Sequence, residues 1–293
     1  MSLFNIKNEL SELNINIKVD YLLKSVTDSH SIDKVFKNNK IDIVFHAAAF
    51  KNVFMTESSP SDSILNNILG TKNVLDNAIK YDIANFVLVS TDKAVNPSNV
   101  MGASKRIAEI YASIISDKSK TKIITTRFGN VLGSSGSVVP IFKKQILNGG
   151  PVTITDPDIT RYFMTITEAC QLVLEAGAIG KGGEIYVFDM GDPVKIYDLA
   201  VNMIRLSGFI ENEDIKIKYT GVRPGEKLFE ELLTENENLK KSHHELIYIA
   251  KKEKFKNSID EINNLIEVSK ESEVKANELI MLMKKIVPEY IPK

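Results

Sequence analysis

The sequence predicts an α/β chain: a doubly wound parallel sheet followed by a smaller, more irregular domain. Two observations predict it. Short apolar runs alternate with stretches whose apolar residues recur at helical spacing, and reactive polar residues stand where one of those runs ends. In order, Ile17 to Leu23 reads as a strand, Ser31 to Asn39 as a helix and Ile41 to His46 as a strand. Ser61 to Tyr81 follows as a helix that tolerates Gly70, then Phe86 to Ser90 as a strand, Ser98 to Ser116 as a helix and Lys122 to Arg127 as a strand. From Gly129 the texture changes, with Gly133, Gly136, Gly149, Gly150, Gly182 and Gly183 interrupting the pattern before a strand over Glu184 to Met190. The division therefore falls at residues 1–130 and 131–293, partly interleaved, with the Glu- and Lys-rich last sixty residues expected as peripheral helices.

Composition narrows the class. The chain has 293 residues, 43% of them hydrophobic, enough for a sizeable core. Lys and Arg number 37 against 38 Asp and Glu, a formal charge of -1, so no basic field is available for nucleic acid or a membrane surface. No apolar run approaches the roughly 20 residues that span a bilayer, and no positively charged leader precedes an apolar one. Cys170 is the single cysteine, which excludes an internal disulfide, and it stands on an apolar helical face that predicts a core position. His30, His46, His243 and His244 have no ligand spacing with it, so no metal site is expected, and the adjacent histidines read as a solvated loop. These features place the chain in the cytoplasm, with small molecules or further copies of itself as partners.

The most informative segment is Ser90 to Lys105, Ser-Thr-Asp-Lys-Ala-Val-Asn-Pro-Ser-Asn-Val-Met-Gly-Ala-Ser-Lys. It lies at the carboxyl end of a predicted strand, where ligands bind in open α/β sheets. Thr91, Asp92 and Lys93 offer a hydroxyl, a carboxyl and an amine in a row, and Lys105 lies four residues after Met101 on one helical face. The bland alternative is a capped helix start, because Ser90, Thr91 and Asp92 are all N-cap types.

Five motifs in order decide between them. The Ser-Thr-Asp-Lys and Met-Gly-Ala-Ser-Lys pieces, Arg127-Phe-Gly-Asn-Val-Leu-Gly133, Thr160-Arg-Tyr-Phe-Met-Thr165 and Arg223-Pro-Gly-Glu-Lys227 resemble the polysaccharide-biosynthesis CapD family over roughly Lys18 to Tyr290. These are Rossmann-like extended short-chain dehydrogenase/reductases that act as UDP-N-acetylglucosamine 4,6-dehydratases. The resemblance implies NAD or NADP as cofactor, a UDP-sugar substrate and a homo-oligomer. It implies Asp92 as the acid for the C6 hydroxyl, protonated by burial. Lys93 would be the base for C5, its pKa lowered by desolvation and by Lys105. Met101 stands where the wider superfamily has tyrosine and cannot take a proton, which leaves the C4 hydroxyl proton to Thr91 or to water on it. Lys105 would bond the nicotinamide ribose. Asn67 either orients Lys105 through water or is a plain buried asparagine.

The remaining matches imply binding. His46, Ala47 and Ala48 end a strand in small residues that let a cofactor approach, with Ser90 beside them, and Ser25 and Val26 correspond to residues at the adenine ring. Lys51 follows, but the family's Lys-His-Val-Pro is here Lys51-Asn-Val-Phe54. Asn130 is the candidate diphosphate contact. Arg161 and Arg223 are planar forks for the diphosphate or the uracil ribose and Glu226 is an acceptor for ribose hydroxyls; for these three a structural salt bridge is the alternative. The family's opening strand and glycine-rich turn have no counterpart, since the first glycine is Gly70. The expectation is a fragment or one part of a split enzyme, with a complementing N-terminal chain as a partner. In the strand order 3-2-1-4-5-6, the two strands without a counterpart would lie between Ile17 to Leu23 and Ile41 to His46. A UDP-sugar 4-epimerase or reductase and a non-catalytic UDP-sugar-binding subunit are the alternatives, and an epimerase needs no acid for C6.

Overall fold

The computed structural model describes residues 3–13, 16–233, 239–250, 255 and 259–292. Two helices, α1 (Leu3–Glu12) and α2 (Ser29–Asn38), precede strand β1 (Ile43–His46); then come the short α3 (Val53–Ser58) and α4 (Pro60–Ile64). A π-helical turn over Leu65–Leu69 joins α4 to α5 (Gly70–Lys80), and β2 (Asn85–Val89), a 3-10 turn over Asp92–Ala94, α6 (Val100–Ser116) and β3 (Lys122–Arg127) follow. Next come β4 (Asn130–Val131), α7 (Val138–Leu147), β5 (Val152–Ile154), β6 (Thr160–Arg161), β7 (Phe163–Met164), α8 (Ile166–Ile179) and β8 (Ile185–Phe188). The last are β9 (Val194–Lys195), α9 (Ile196–Leu206), β10 (Ile217–Tyr219), β11 (Leu239–Lys241), β12 (Ile247–Ala250), α10 (Ile259–Val268) and α11 (Ala276–Ile286).

The central sheet has the order β1-β2-β3-β8-β12-β11. The first four strands run parallel, and β12 and β11 add antiparallel. Alternation along β2 shows why both faces are covered: Phe86 and Leu88 enter one core with α2, α5, α6, α10 and α11, while Val87 enters the other with Ala169, Leu172 and Ala176 of α8. Helices on both faces of a mainly parallel sheet are the doubly wound architecture the alternation predicts. The last two helices bring Ile262, Leu265, Ile266, Leu279, Met283 and Ile286 into the first of these cores. A third cluster includes Phe142, Ile146, Val152, Ile154, Ile196, Ala200 and Ile204 and unites α7, α9 and β5. No described helix is long and apolar enough to cross a membrane.

Two expectations are corrected. Ile17 to Leu23 is not a strand: it runs without regular structure, with Ile17 65% and Leu23 87% exposed. A strand needs a neighbour for its backbone groups, and β1 pairs among the described residues only with β2. Cys170 is exposed rather than core. Helix α8 carries apolar residues on more than one face, and the stripe it buries is Ala169, Leu172 and Ala176; Ile166 and Leu174, one turn either side of Cys170, are 52% and 58% exposed.

Candidate functional site

The site forms where β1, β2 and β3 end together, because the register sets His46 against Leu88 and Val89 against Thr126. Beyond β2 the chain stays pinned to β3. Ser90 N–H donates to the Thr126 carbonyl at 2.7 Å and Asp92 N–H to the Phe128 carbonyl at 3.0 Å. Thr91 caps the 3-10 turn over Asp92–Ala94, as an N-cap residue does, by accepting from Lys93 N–H. Asn99 caps α6 by accepting from Gly102 N–H at 2.7 Å. The turn and the helix touch: a Cβ on Gly102 would lie 2.1 Å from the Lys93 carbonyl oxygen. Glycine there is what lets Lys93 sit against the start of α6.

Asp92 is fully buried. Its Oδ1 accepts from Thr91 Oγ1 at 2.8 Å and from Lys93 Nζ at 2.9 Å, while Oδ2 is buried with no hydrogen bond among the described residues. Lys93 Nζ also donates to Asn130 Oδ1 at 3.0 Å and lies 3.5 Å from Glu230 Oε1. The sequence reading of Lys93 is thereby corrected. Desolvation does press against its charge, but the carboxylates of Asp92 and Glu230 outweigh it and hold the ammonium above its ordinary pKa. Lys105 is not its neighbour either: the Lys105 ammonium donates to the Val89 carbonyl at 2.7 Å. Burial lowers Lys105 to about 8, offset in part by Glu109.

Around this centre the expected binding residues separate into groups. His46 is buried, its Nε2 3.0 Å from Thr71 Oγ1, and desolvation with help from Lys105 holds it neutral to about 3. Ala47 and Ala48 follow it and are exposed. Ser25 is exposed and Val26 half-buried in the turn before α2, where Asn73 of α5 donates to the Val26 carbonyl at 2.9 Å. A Cβ on Gly70 would come within 2.6 Å of Val26 Cγ2, which explains the glycine inside that helix. Asn67 makes no direct hydrogen bond to Lys105. It lies on the π-helical turn, a common device at functional sites, and clamps the loop after β1 by accepting from Phe50 N–H at 2.7 Å and donating to the Phe50 carbonyl at 3.0 Å and to Ser104 Oγ at 2.9 Å. Met101 is buried on the first turn of α6.

Arg161 is buried on β6. It donates to the carbonyls of Thr160 at 2.7 Å and Leu228 at 3.2 Å and to Glu226 Oε1 at 3.3 Å, and its Nε lies 3.8 Å from Glu230 Oε1. Asp92, Lys93, Asn130, Arg161, Glu226 and Glu230 thus form one continuous polar cluster. Arg223 stands outside it with its guanidinium 5.9 Å over the Phe54 ring. Lys51 stands at the rim, bonded to Ser134 Oγ at 3.3 Å and held below its ordinary pKa by desolvation.

Three groups escaped the sequence reading. Glu230 lies three residues beyond the Arg223 to Lys227 motif. Glu109 and Arg127 form a buried pair behind the site: Glu109 Oε2 accepts from Arg127 Nη2 at 2.8 Å and from Arg106 Nη1 at 3.2 Å, and Oε1 accepts from Ser90 Oγ at 2.5 Å. Burial alone would raise the Glu109 pKa, but Arg127, Arg106 and Ser90 together lower it. Ser90, expected at a cofactor, thus bonds inward to this pair. Arg106 and Glu109, a charged pair at i and i+3 in a helix whose neighbouring positions are mostly apolar, were the available signal. Among the described residues no group of three or more metal-ligating side chains occurs.

The model of a family described as polysaccharide biosynthesis protein matches residues 1–252. The capsular polysaccharide biosynthesis protein CapD of Staphylococcus aureus is 54% identical over 252 residues, 85% of this chain and 42% of that protein. A UDP-glucose 4-epimerase of Rickettsia canadensis is 38% identical over 228 residues, 77% of this chain and 65% of that one. The chain thus spans less than half the length of the CapD relative. Among solved structures, Pen from Bacillus thuringiensis superposes with a TM-score of 0.75 at 30% identity, over 96% of this chain and 86% of that one. DesIV from Streptomyces venezuelae, a dTDP-glucose 4,6-dehydratase with NAD and TYD bound, shares the fold at a TM-score of 0.70 and 20% identity, over 77% of this chain and 74% of that one.

Proposed function

The chain belongs to the polysaccharide biosynthesis protein family, and we propose that within it the chain carries a nucleotide-sugar 4,6-dehydratase site acting on UDP-N-acetylglucosamine. The observation that carries the reading is the 2.9 Å hydrogen bond between Lys93 Nζ and Asp92 Oδ1 at the end of β2. Dehydration across C5 and C6 needs a base and an acid at once. The ion pair and the neutral pair hold the same one proton, so a shift from Nζ to Oδ1 along that bond creates an amine base and a carboxylic acid without exchange with solvent.

NAD, when bound, would supply the redox chemistry, as acceptor of the C4 hydride and donor of it to C6. The ends of β1 and β2 fit its nicotinamide ribose: Ala47 and Ala48 present little bulk and Lys105 presents a buried ammonium. Thr91, whose hydroxyl bonds Asp92, releases the C4 hydroxyl proton to solvent directly or through a water on it. Lys93 then removes the C5 proton, made acidic by the C4 ketone, and Asp92 protonates the C6 hydroxyl so that it leaves as water. When hydride reaches C6, Lys93 returns a proton to C5 and the pair regains one from solvent. Met101 takes no part in proton transfer. Asn130 and Arg161 face the diphosphate and Glu226 the ribose, with Arg223 and Lys51 at the rim.

The test is mass spectrometry of UDP-N-acetylglucosamine incubated with NAD and the protein in its longest expressed form. Loss of one water supports the reading, and its disappearance in Asp92→Asn and Lys93→Ala assigns the acid and base. A product of unchanged mass and inverted C4 identifies a 4-epimerase instead.

A further inference from the structure

Glu230 is the one buried carboxylate of the polar cluster to which the reaction above assigns no task. It is 8% exposed and carried by the segment after Arg223, far in sequence from the 3-10 turn that it meets. Its Oε1 lies 3.5 Å from Lys93 Nζ and 3.8 Å from Arg161 Nε. Its Oε2 is buried and receives no hydrogen bond from the described residues. A buried carboxylate oxygen left unpaired is destabilising, so the fold gains little from this group on its own account. Buried polar atoms without partners call for a reason other than stability.

We propose that Glu230 is a positioning residue: wedged between Lys93 and Arg161, its carboxylate keeps the Lys93 amine in line with Asp92 and couples it to the arginine that faces the substrate. The coupling follows from charge. The carboxyls of Asp92 and Glu230 lie 2.9 and 3.5 Å from Lys93 Nζ, and the Arg161 guanidinium, 3.8 Å from Glu230 Oε1, itself opposes the charge on Lys93. Glu226 engages Arg161 at 3.3 Å. From α6, packed against the turn, Lys105 directs its charge to the Val89 carbonyl, and Glu109 directs its own to Arg127 and Arg106. Neither is aimed at Lys93. An anionic diphosphate drawing Arg161 away would leave Glu230 with Lys93 as its nearest cation, so occupation of the substrate end strengthens the hold on the amine. The role rests on the dehydratase reading for its consequence in turnover, but the coupling can be measured without turnover.

The experiment follows the pH dependence of acetic anhydride labelling at Lys93, read by peptide mass spectrometry, in the wild type, Glu230→Gln, Glu230→Asp and Arg161→Gln. Losing the Glu230 charge should move the labelling midpoint of Lys93 down by about 1 to 3 pH units, the range expected for an opposite charge at this distance. Losing Arg161 should move it up, and Glu230→Asp should restore part of the wild-type value. In turnover of UDP-N-acetylglucosamine, the basic limb of kcat should shift in the same directions, with a smaller change in KM for Glu230→Gln than for Arg161→Gln. Midpoints that stay together, or that move the same way in Glu230→Gln and Arg161→Gln, overturn the proposal. If Glu230→Gln fails to fold, the upward shift in Arg161→Gln and an intermediate value in Glu230→Asp still decide it. Opposed labelling shifts without any dehydration would sustain the coupling and refute the dehydratase reading alone.

Discussion

Replacing Gly102 with alanine sets two effects of opposite sign against each other. Helix propensity favours alanine by about 1 kcal/mol. Packing opposes it, because the new Cβ would stand 2.1 Å from the Lys93 carbonyl oxygen, 3.0 Å from the Lys93 carbonyl carbon and 3.2 Å from Pro97 Cβ. The nearest atoms belong to the backbone and cannot turn aside as a side chain would. Restoring ordinary contact requires α6 and the 3-10 turn to part by about 1 Å. Overpacking of this kind costs about 1 to 3 kcal/mol and occasionally more. With backbone on the receiving side, the expected net loss is about 2 kcal/mol, or a fall of about 3 °C in Tm for a chain of this size. The same displacement moves the turn that carries Asp92 and Lys93 and disturbs the Lys93 contact with Asn130, so turnover should drop by about a hundredfold. Differential scanning calorimetry and the water-loss assay measure the two effects. A Tm equal to or above the wild type would show that the helix does not press on the turn, and the reasoning would fail.

Further outcomes follow from the buried charges. Glu109→Gln, which leaves Arg127 and Arg106 without their shared carboxylate, should cost about 3 to 5 kcal/mol in urea unfolding; a cost below about 1 kcal/mol would contradict the network. The folded pKa of Glu109 is depressed, so its contribution is full above the ordinary value of 4.5 and is lost as pH falls through the lower folded value. The acid limb of the stability profile should therefore be shallower in Glu109→Gln. His46 titrates at about 3 in the folded chain against 6.5 in the unfolded one, so the unfolded chain binds the extra proton and stability falls between those values as pH is lowered. Nitrogen-15 NMR should find the His46 ring neutral at pH 5, and a midpoint near the unfolded value would contradict its burial. Asn67→Ala removes the clamp on both Phe50 backbone groups and should cost about 1 to 3 kcal/mol, read by urea unfolding; an unchanged midpoint would mean that the loop after β1 holds itself.

The elements with strong periodicity were legible. Helix α6, strands β2, β3 and β8, and the placing of Thr91 to Lys93 at a strand end all follow from local pattern. Ile17 to Leu23 misled because apolar character marks a segment able to pair but does not supply its neighbour. Cys170 misled because α8 is apolar on more than one face, and the choice of buried stripe belongs to the sheet beneath it. In the site, the expected lowering of the Lys93 pKa is not what its surroundings produce. Those surroundings include Glu230, which is 137 positions away in the chain and 3.5 Å away in space. Likewise Asn67 was open between a site role and a plain buried asparagine, and its bonds to the Phe50 backbone are set by a π-helical turn that no residue spacing announces.

The most direct test of the central claim is dehydration in deuterated water. UDP-N-acetylglucosamine treated with the protein and NAD should yield a sugar nucleotide that has lost one water and carries one deuterium at C5, delivered through Lys93. The deuterium and the water loss should vanish together in Asp92→Asn and Lys93→Ala. A product of unchanged elemental composition, or water loss that persists at the wild-type rate in both variants, would contradict the assignment of this site to acid–base dehydration.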